Sequence, residues 1–275
     1  MNKAAFAALS VLVFLIPWDN TVALAGVGSL ARVVGVGALG VAVMGALLSG
    51  TLRRPQTFHV LAGLFLVWSA LTLLWTNSFE STLVRTLTYL QVITLIFLIW
   101  QYARTELQQN TLLGCYVLGA YVPAIDTIRN YFAGITIDPS TIRYSATGFN
   151  ANEVAIILAL GIPMAWYLAL STARRGYWLL YVCYVPLALV GVLLSSSRGA
   201  FLGLLVALLF VPWSASWLSR RARVGLVGLL VISTCVVYLM VPTASWLPCR
   251  CDLVSRAQEV FTTTHTAKPS SQAVM

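Results

Sequence analysis

The sequence predicts an all-α, polytopic integral membrane protein with about nine transmembrane helices. Of its 275 residues, 59% are hydrophobic and only 9% are charged, and the mean hydropathy is +0.86. A soluble domain needs about a quarter of its residues charged to cover its surface. Apolar runs close to the roughly 20 residues that a spanning helix requires also recur along the chain, separated by short polar breaks. Water therefore cannot be the main solvent of this chain.

The apolar runs follow one another closely enough to form a single unit. We predict one transmembrane domain over residues 1–241 and a short, mobile outer-side tail over residues 242–275. Polar and basic clusters mark the breaks between the runs. The predicted spans are 4–17, 27–49, 57–75, 82–101, 111–132, 151–171, 177–194, 199–218 and 224–241.

The first run has a second interpretation. Lys3, the apolar residues 4–16 and the small-residue sequence Ala23-Leu24-Ala25 also fit a secretory signal with its cleavage site. We favour a retained span. Cleavage would not change the orientation of the remaining spans, so the charge distribution leaves both interpretations open.

The basic residues between the spans predict the orientation. Short cytoplasmic loops carry an excess of Lys and Arg, so an N-terminus in the cytoplasm fits the observed pattern and places the C-terminal tail outside. Several tryptophans lie near span ends, where indole rings anchor at the interface. The residues expected on the inner side are Lys3, Arg53, Arg54, Arg104, Arg174, Arg175, Arg220, Arg221 and Arg223.

The net charge of +9 does not indicate a nucleic-acid-binding protein, because the basic residues are scattered in pairs between apolar runs. The cysteines lack the spacing of a metal site, and Cys249 and Cys251 are too close for a plausible disulfide. We therefore expect no nucleic acid, metal or cofactor. The lipid bilayer is the first expected partner.

The remaining basic residues lie on the predicted outer side, against the topological bias. Guanidinium groups bind phosphate and pyrophosphate in bidentate geometry, so an anionic, lipid-linked phosphate is one explanation. The alternative is that they reach lipid headgroups or pair with nearby acids, as the spacing of Asp126 and Arg129 allows. This group contains Arg32, Arg85, Arg129, Arg143, Arg198, Arg250, Arg256 and Lys268.

Two polar motifs flank a pair of predicted spans. Residues 147–155 read Thr-Gly-Phe-Asn-Ala-Asn-Glu-Val-Ala, and about 45 residues later 193–203 read Leu-Leu-Ser-Ser-Ser-Arg-Gly-Ala-Phe-Leu-Gly. In their order and spacing they resemble the O-antigen ligase and polymerase family of bacterial envelopes. The resemblance covers roughly residues 140–215. The matching positions are Gly148, Asn150, Asn152, Ala155, Ser195, Ser197, Arg198 and Gly199.

The resemblance implies glycan transfer at the periplasmic face of the bacterial inner membrane. The donor would be a polyprenyl-pyrophosphate-linked saccharide, and the acceptor a lipid A core or a growing glycan, without a nucleotide sugar. Arg198 would bind the donor pyrophosphate and stabilise its developing charge. Arg143 is the second candidate, and Asn150 and Asn152 are expected to cap the following helix. Further candidate contacts are Ser195, Ser197, Asn152 and Arg256.

The sequence departs from the family at its C-terminal end. The family's outer loop carries a further arginine and a histidine proposed as the base, whereas His265 lies in the predicted mobile tail and is not assigned that role. The catalytic group is therefore unassigned, and the chain is expected to lack the family's C-terminal part. Two alternatives stay open: a transporter of small anions such as bicarbonate, and an inactive remnant.

Overall fold

The computed structural model describes residues 3–21, 23–24, 28–49, 53–136, 143–172, 174–197 and 199–204. Several predictions fall outside these residues. They concern the span 224–241, most of the span 199–218 and the tail 242–275 with Arg256 and His265. Arg198 and the side chain of Arg32 also lie outside the described residues.

The regular secondary structure of the described chain is helical apart from one antiparallel pair of two-residue strands. A 3-10 helix, Ile16–Thr21, follows the first α-helix, and another, Thr72–Leu74, follows the third. Residues 199–204 are also helical. The bounds are α1 Lys3–Leu15, β1 Ala23–Leu24, β2 Gly28–Ser29, α2 Leu30–Ser49, α3 Thr57–Leu71, α4 Phe79–Tyr102, α5 Glu106–Phe132, α6 Ala151–Ser171 and α7 Arg175–Ser195.

Five helical segments in the described chain are long and apolar enough to cross a membrane. They correspond to the third through seventh predicted spans, and α6 begins and ends at the predicted residues. These segments indicate a membrane protein. The total of nine spans is not confirmed. The five segments are Thr57–Leu74, Phe79–Tyr102, Glu106–Phe132, Ala151–Ser171 and Arg175–Ser195.

The first helix is shorter than predicted. It ends at Leu15 because Pro17 cannot donate a backbone hydrogen bond and disfavours helical backbone at the residue before it. The indole Nε1 of Trp18 donates to the carbonyl oxygen of Phe14 at 2.9 Å, in place of a helical N–H. The chain then continues as the 3-10 helix, which packs against α5.

The most extensive packing joins α5, α6 and α7. Tyr184 of α7 is fully buried, and its hydroxyl donates to the carbonyl oxygen of Leu158 in α6 at 3.2 Å. Its ring lies over Gly161, where a methyl group would overlap the phenol. Gly191 of α7 receives the side chain of Leu158 in the same way. Small residues thus allow these two helices to approach closely.

A second cluster packs α1 against α2, α4 and α5. Leu9 lies at its centre, and Tyr102 of α4 donates through its hydroxyl to the carbonyl oxygen of Ala42 in α2 at 2.8 Å. Helix α3 packs mainly on α4. The α3–α4 hairpin therefore lies at the edge of the described structure, with most of its apolar side chains exposed.

Candidate anion site at the predicted outer end

The two sequence motifs meet at one end of the helix bundle. Helices α5 and α7 end there, and α6 begins there after the loop 143–150. The backbone N–H of Tyr144 donates to the carbonyl oxygen of Leu194, near the last residue of α7, at 3.1 Å. The predicted orientation places this end on the outer side of the membrane.

Arg143 joins the two motifs directly. Its Nε donates to the backbone carbonyl oxygen of Ser195 at 3.0 Å, and its Nη2 donates to Oδ1 of Asn152 at 2.6 Å. The first bond reaches the C-terminal end of α7, where a cation is favoured by the helix dipole. The second reaches the first turn of α6. One guanidinium therefore fixes the ends of two consecutive helices relative to each other.

Polar contacts from α5 hold the loop in place. The carboxylate of Asp126 accepts a hydrogen bond from the backbone N–H of Thr147 at 2.7 Å. Asn130 is buried, and its Nδ2 donates to the carbonyl oxygen of Ser145 at 2.8 Å. The hydroxyl of Ser145 donates to the carbonyl oxygen of Phe149 at 2.9 Å. The loop is thus fixed to both α5 and α7.

In the first motif, a glycine allows the turn before α6 and an asparagine caps the start of that helix. Gly148 has φ +81°, a backbone conformation that favours glycine. Asn150 is the N-cap of α6, and its side chain accepts from the backbone N–H of Asn152 at 2.9 Å. The capping prediction is therefore confirmed for Asn150. Asn152 instead lies inside the helix, and its side chain accepts from Arg143.

The serines of the second motif end α7 and begin the turn that follows it. Ser195 is fully buried and its hydroxyl donates to the carbonyl oxygen of Val192 at 2.7 Å. Ser196 adopts a left-handed conformation with φ +50°, which ends the helix. The hydroxyl of Ser197 accepts from the backbone N–H of Ala200 at 3.4 Å. These bonds are local, and contact of Ser195 or Ser197 with a substrate stays a prediction.

Arg198 follows Ser197 directly in the chain but lies outside the described residues, as does Arg256. Arg129 pairs with Asp126, with 3.6 Å between its Nε and Oδ1 of the carboxylate. Its side chain is 71% exposed, so the pair contributes little to stability. The ion pair that the sequence spacing allowed is therefore present.

Sequence reasoning missed the residues that connect α5 to the loop. Asn130 and Asp126 lie 15 and 21 residues before their partners, and no local pattern indicates such contacts. The described residues contain no group of three His, Cys, Asp or Glu side chains that could hold a metal ion. Comparison with protein-family models, curated proteins and solved structures finds no match.

Proposed function

We propose that this chain transfers a polyprenyl-pyrophosphate-linked saccharide to a lipid A core or a growing glycan at the periplasmic face of a bacterial inner membrane. The observation that carries the proposal is the contact of Arg143 with both family-like motifs, at Ser195 and Asn152. In the sequence Arg198 directly follows Ser197, three residues after Ser195. The carbonyl oxygen of Ser195 accepts from Arg143. We therefore assign the anion to a residue that is close in the chain to one that Arg143 contacts.

The proposed reaction is a displacement at the anomeric carbon of the donor sugar. A hydroxyl oxygen of the acceptor forms the new bond while the bond from that carbon to the pyrophosphate oxygen breaks. The polyprenyl pyrophosphate leaves with the electron pair, and the hydroxyl proton is lost to a base that remains unassigned. Positive charge beside the leaving oxygen lowers the barrier, because it stabilises charge that develops as the bond breaks.

Arg143 and Arg198 have different parts in this proposal. Arg198 binds the pyrophosphate, whereas Arg143 acts as a positioning residue because at least part of its guanidinium is occupied by protein acceptors. Lysine in place of Arg143 would keep the charge but would not reproduce both hydrogen bonds at the same geometry. Arg143→Lys and Arg143→Ala are therefore expected to be impaired to a similar extent.

The experiment compares surface glycan from cells that carry the wild-type gene, Arg198→Ala, Arg143→Lys or Arg85→Ala. Arg85 is the matched control because it is an exposed arginine near the predicted outer end of α4, away from both motifs. We expect Arg198→Ala to abolish glycan attachment or elongation and Arg85→Ala to leave it intact.

Normal glycan ladders from a well-inserted Arg198→Ala protein would contradict the proposal. Purified protein in vesicles provides the second measurement. Uptake of bicarbonate, without turnover of lipid-linked glycan, would favour the small-anion transporter instead. Absence of both activities from the wild-type protein would favour the inactive remnant.

A further inference from the structure

Three arginines lie close together at the predicted inner end of the α3–α4 hairpin, whereas the candidate anion site lies at the predicted outer end of the bundle. Arg53 and Arg54 precede α3, and Arg104 follows α4. We call these residues the inner arginine cluster. All three side chains are exposed. The sequence has no Asp or Glu between Asp19 and Glu80, so the segment that leads into α3 supplies no carboxylate to pair with them.

The structure holds two of these guanidinium groups at the last carbonyls of α4. Arg53 stacks over the indole of Trp100, with 3.4 Å from its Cζ to the ring centroid, and its Nη1 donates to the Trp100 carbonyl oxygen at 3.2 Å. Its backbone N–H donates to Oε1 of Gln101 at 3.0 Å. The Nε of Arg104 donates to the next carbonyl oxygen, that of Gln101, at 3.0 Å. Both cations are therefore positioned on one helix end.

Two further N–H groups in this region lack an acceptor. The Nδ1 of His59 accepts from the backbone N–H of Gln56 at 3.2 Å, so neutral His59 carries its hydrogen on Nε2. Among the described residues, neither His59 Nε2 nor Trp100 Nε1 has a hydrogen-bond partner, and the two rings lie 5.6 Å apart. One carboxylate lies near the cluster in the sequence, that of Glu106 at the start of α5, and among the described residues no ion pair joins it to any of the three arginines. The charge of the inner arginine cluster is thus not neutralised by a carboxylate within the described chain.

We propose that the inner arginine cluster binds the phosphodiester headgroup of an anionic phospholipid. A phosphodiester complements this region because it carries negative charge and only accepts hydrogen bonds. The position of the cluster favours a lipid as the source of the phosphate. It lies where α3 begins, and the apolar side chains of Phe58, Val60 and Leu61 in the first turns of α3 are exposed directly beside it, whereas the end of α4 is packed against α1 and α2. Basic residues at such helix ends attract anionic lipids by about 1 kcal/mol each, or about fivefold in affinity.

The test uses the purified full-length protein in nanodiscs made from mixtures of phosphatidylglycerol and phosphatidylcholine with identical acyl chains. The enrichment of phosphatidylglycerol around the protein is measured by native mass spectrometry of the released complexes. We expect the binding preference of wild type for phosphatidylglycerol to fall by about 25-fold in Arg53→Gln/Arg104→Gln, since two favourable charges are removed. The matched control is Arg174→Gln/Arg175→Gln, which removes two exposed arginines from another predicted inner loop.

A second variant tests the stacking geometry. Arg53→Lys keeps the charge but loses the planar group that stacks on Trp100, so we expect it to lose part of the preference. An unchanged preference in Arg53→Gln/Arg104→Gln would overturn the proposal. An equal loss in the Arg174→Gln/Arg175→Gln control would also overturn it, because general surface charge would then be sufficient. The proposal would also be overturned if inorganic phosphate, added to nanodiscs of pure phosphatidylcholine, occupied the site to the same extent as phosphatidylglycerol does. That result would indicate a site for free anions.

Discussion

The α5–α7 group and the α3–α4 hairpin are both built from long apolar helices, yet they are packed very differently. Half of the most apolar 18-residue stretch of α6 is buried, against 6% of Thr57–Leu74, which is α3 with the 3-10 helix that follows it, and 6% of the corresponding stretch of α4. Apolar composition therefore does not distinguish the two regions. The difference lies in the residues at the contacts. Helices α5–α7 place glycines opposite bulky groups, whereas a methyl group added at Gly63 of α3 would have no neighbour within 4 Å.

This contrast indicates what holds apolar helices together in a lipid solvent. Lipid tails are as apolar as leucine side chains, so association depends on close packing and interhelical hydrogen bonds. Tyr116, Tyr121 and Tyr184 each donate a hydroxyl hydrogen bond to a carbonyl oxygen of a neighbouring helix within α5–α7. The threonines of α4 bond largely to carbonyls of their own helix. The tyrosine bonds connect helices, whereas the threonine bonds lie mostly within α4; the hydroxyl of Thr86 also donates to the carbonyl oxygen of Ser69 in α3, at the long distance of 3.5 Å.

The largest effect is expected at Gly119 of α5. A methyl group there would overlap the backbone carbonyl oxygen of Phe14, which cannot rotate away as a side chain can. We expect Gly119→Ala to destabilise the protein by about 3 kcal/mol, the upper end for overpacking. Unfolding in mixed micelles, followed by tryptophan fluorescence, measures the change. Gly63→Ala in α3 is the control and should be neutral or stabilise the protein by up to about 1 kcal/mol, because alanine favours a helix more than glycine does and the added methyl group meets no neighbour. Equal effects of the two variants would contradict the difference in packing.

A smaller effect is expected at Gly161 of α6, where a methyl group would overlap the ring and hydroxyl of Tyr184. We expect Gly161→Ala to cost about 2 kcal/mol, because the tyrosine side chain has to move. The same unfolding assay applies to a double-mutant cycle with Tyr184→Leu. A removed clash would make the double variant more stable than the sum of the single changes predicts. Strict additivity would show that the two side chains do not interact.

The helix starts at the predicted outer end offer the next comparison. Asn150 caps α6 through its side chain, whereas Ser78 at the start of α4 makes no side-chain cap bond. Asn150→Ala should therefore cost about 1 kcal/mol, and Ser78→Ala clearly less. Hydrogen exchange at the first turn of each helix, measured by mass spectrometry, locates the loss. A larger increase in exchange at α4 in Ser78→Ala than at α6 in Asn150→Ala, each relative to the wild type, would refute the assignment of the cap.

The smallest effect is expected from single hydroxyl groups. Tyr184→Phe removes a bond between α7 and α6 and should cost about 0.6 kcal/mol, the average for such bonds in a membrane protein. Thr88→Val removes a bond from Thr88 to the Val84 carbonyl within α4 and should be close to neutral. The unfolding midpoints of the two variants give the comparison. A greater loss for Thr88→Val would mean that the hairpin depends on contacts beyond those of its own helix.

Much of the helical framework could be predicted because burial in lipid imposes a simple length and composition rule. The bounds of α6 follow from this rule together with the cap at Asn150. The prediction for the first run extended too far, since the predicted span 4–17 runs to Pro17 while the α-helix ends at Leu15. The candidate site was only partly predictable. Its motifs are visible in the sequence, but the contacts of Arg143 join residues as far as 52 positions apart.

The sequence by itself determined the helical, apolar character of the chain and predicted an orientation, because composition and loop charge are local properties. Only the tertiary structure decided which apolar helices form a tight group. That choice depends on the residues that face each other across helices, such as Gly161, whose lack of a side chain leaves room for the ring of Tyr184. It also decided that Arg143 joins the end of α7 to the start of α6, since a hydrogen bond between distant residues exists only once the helices have packed.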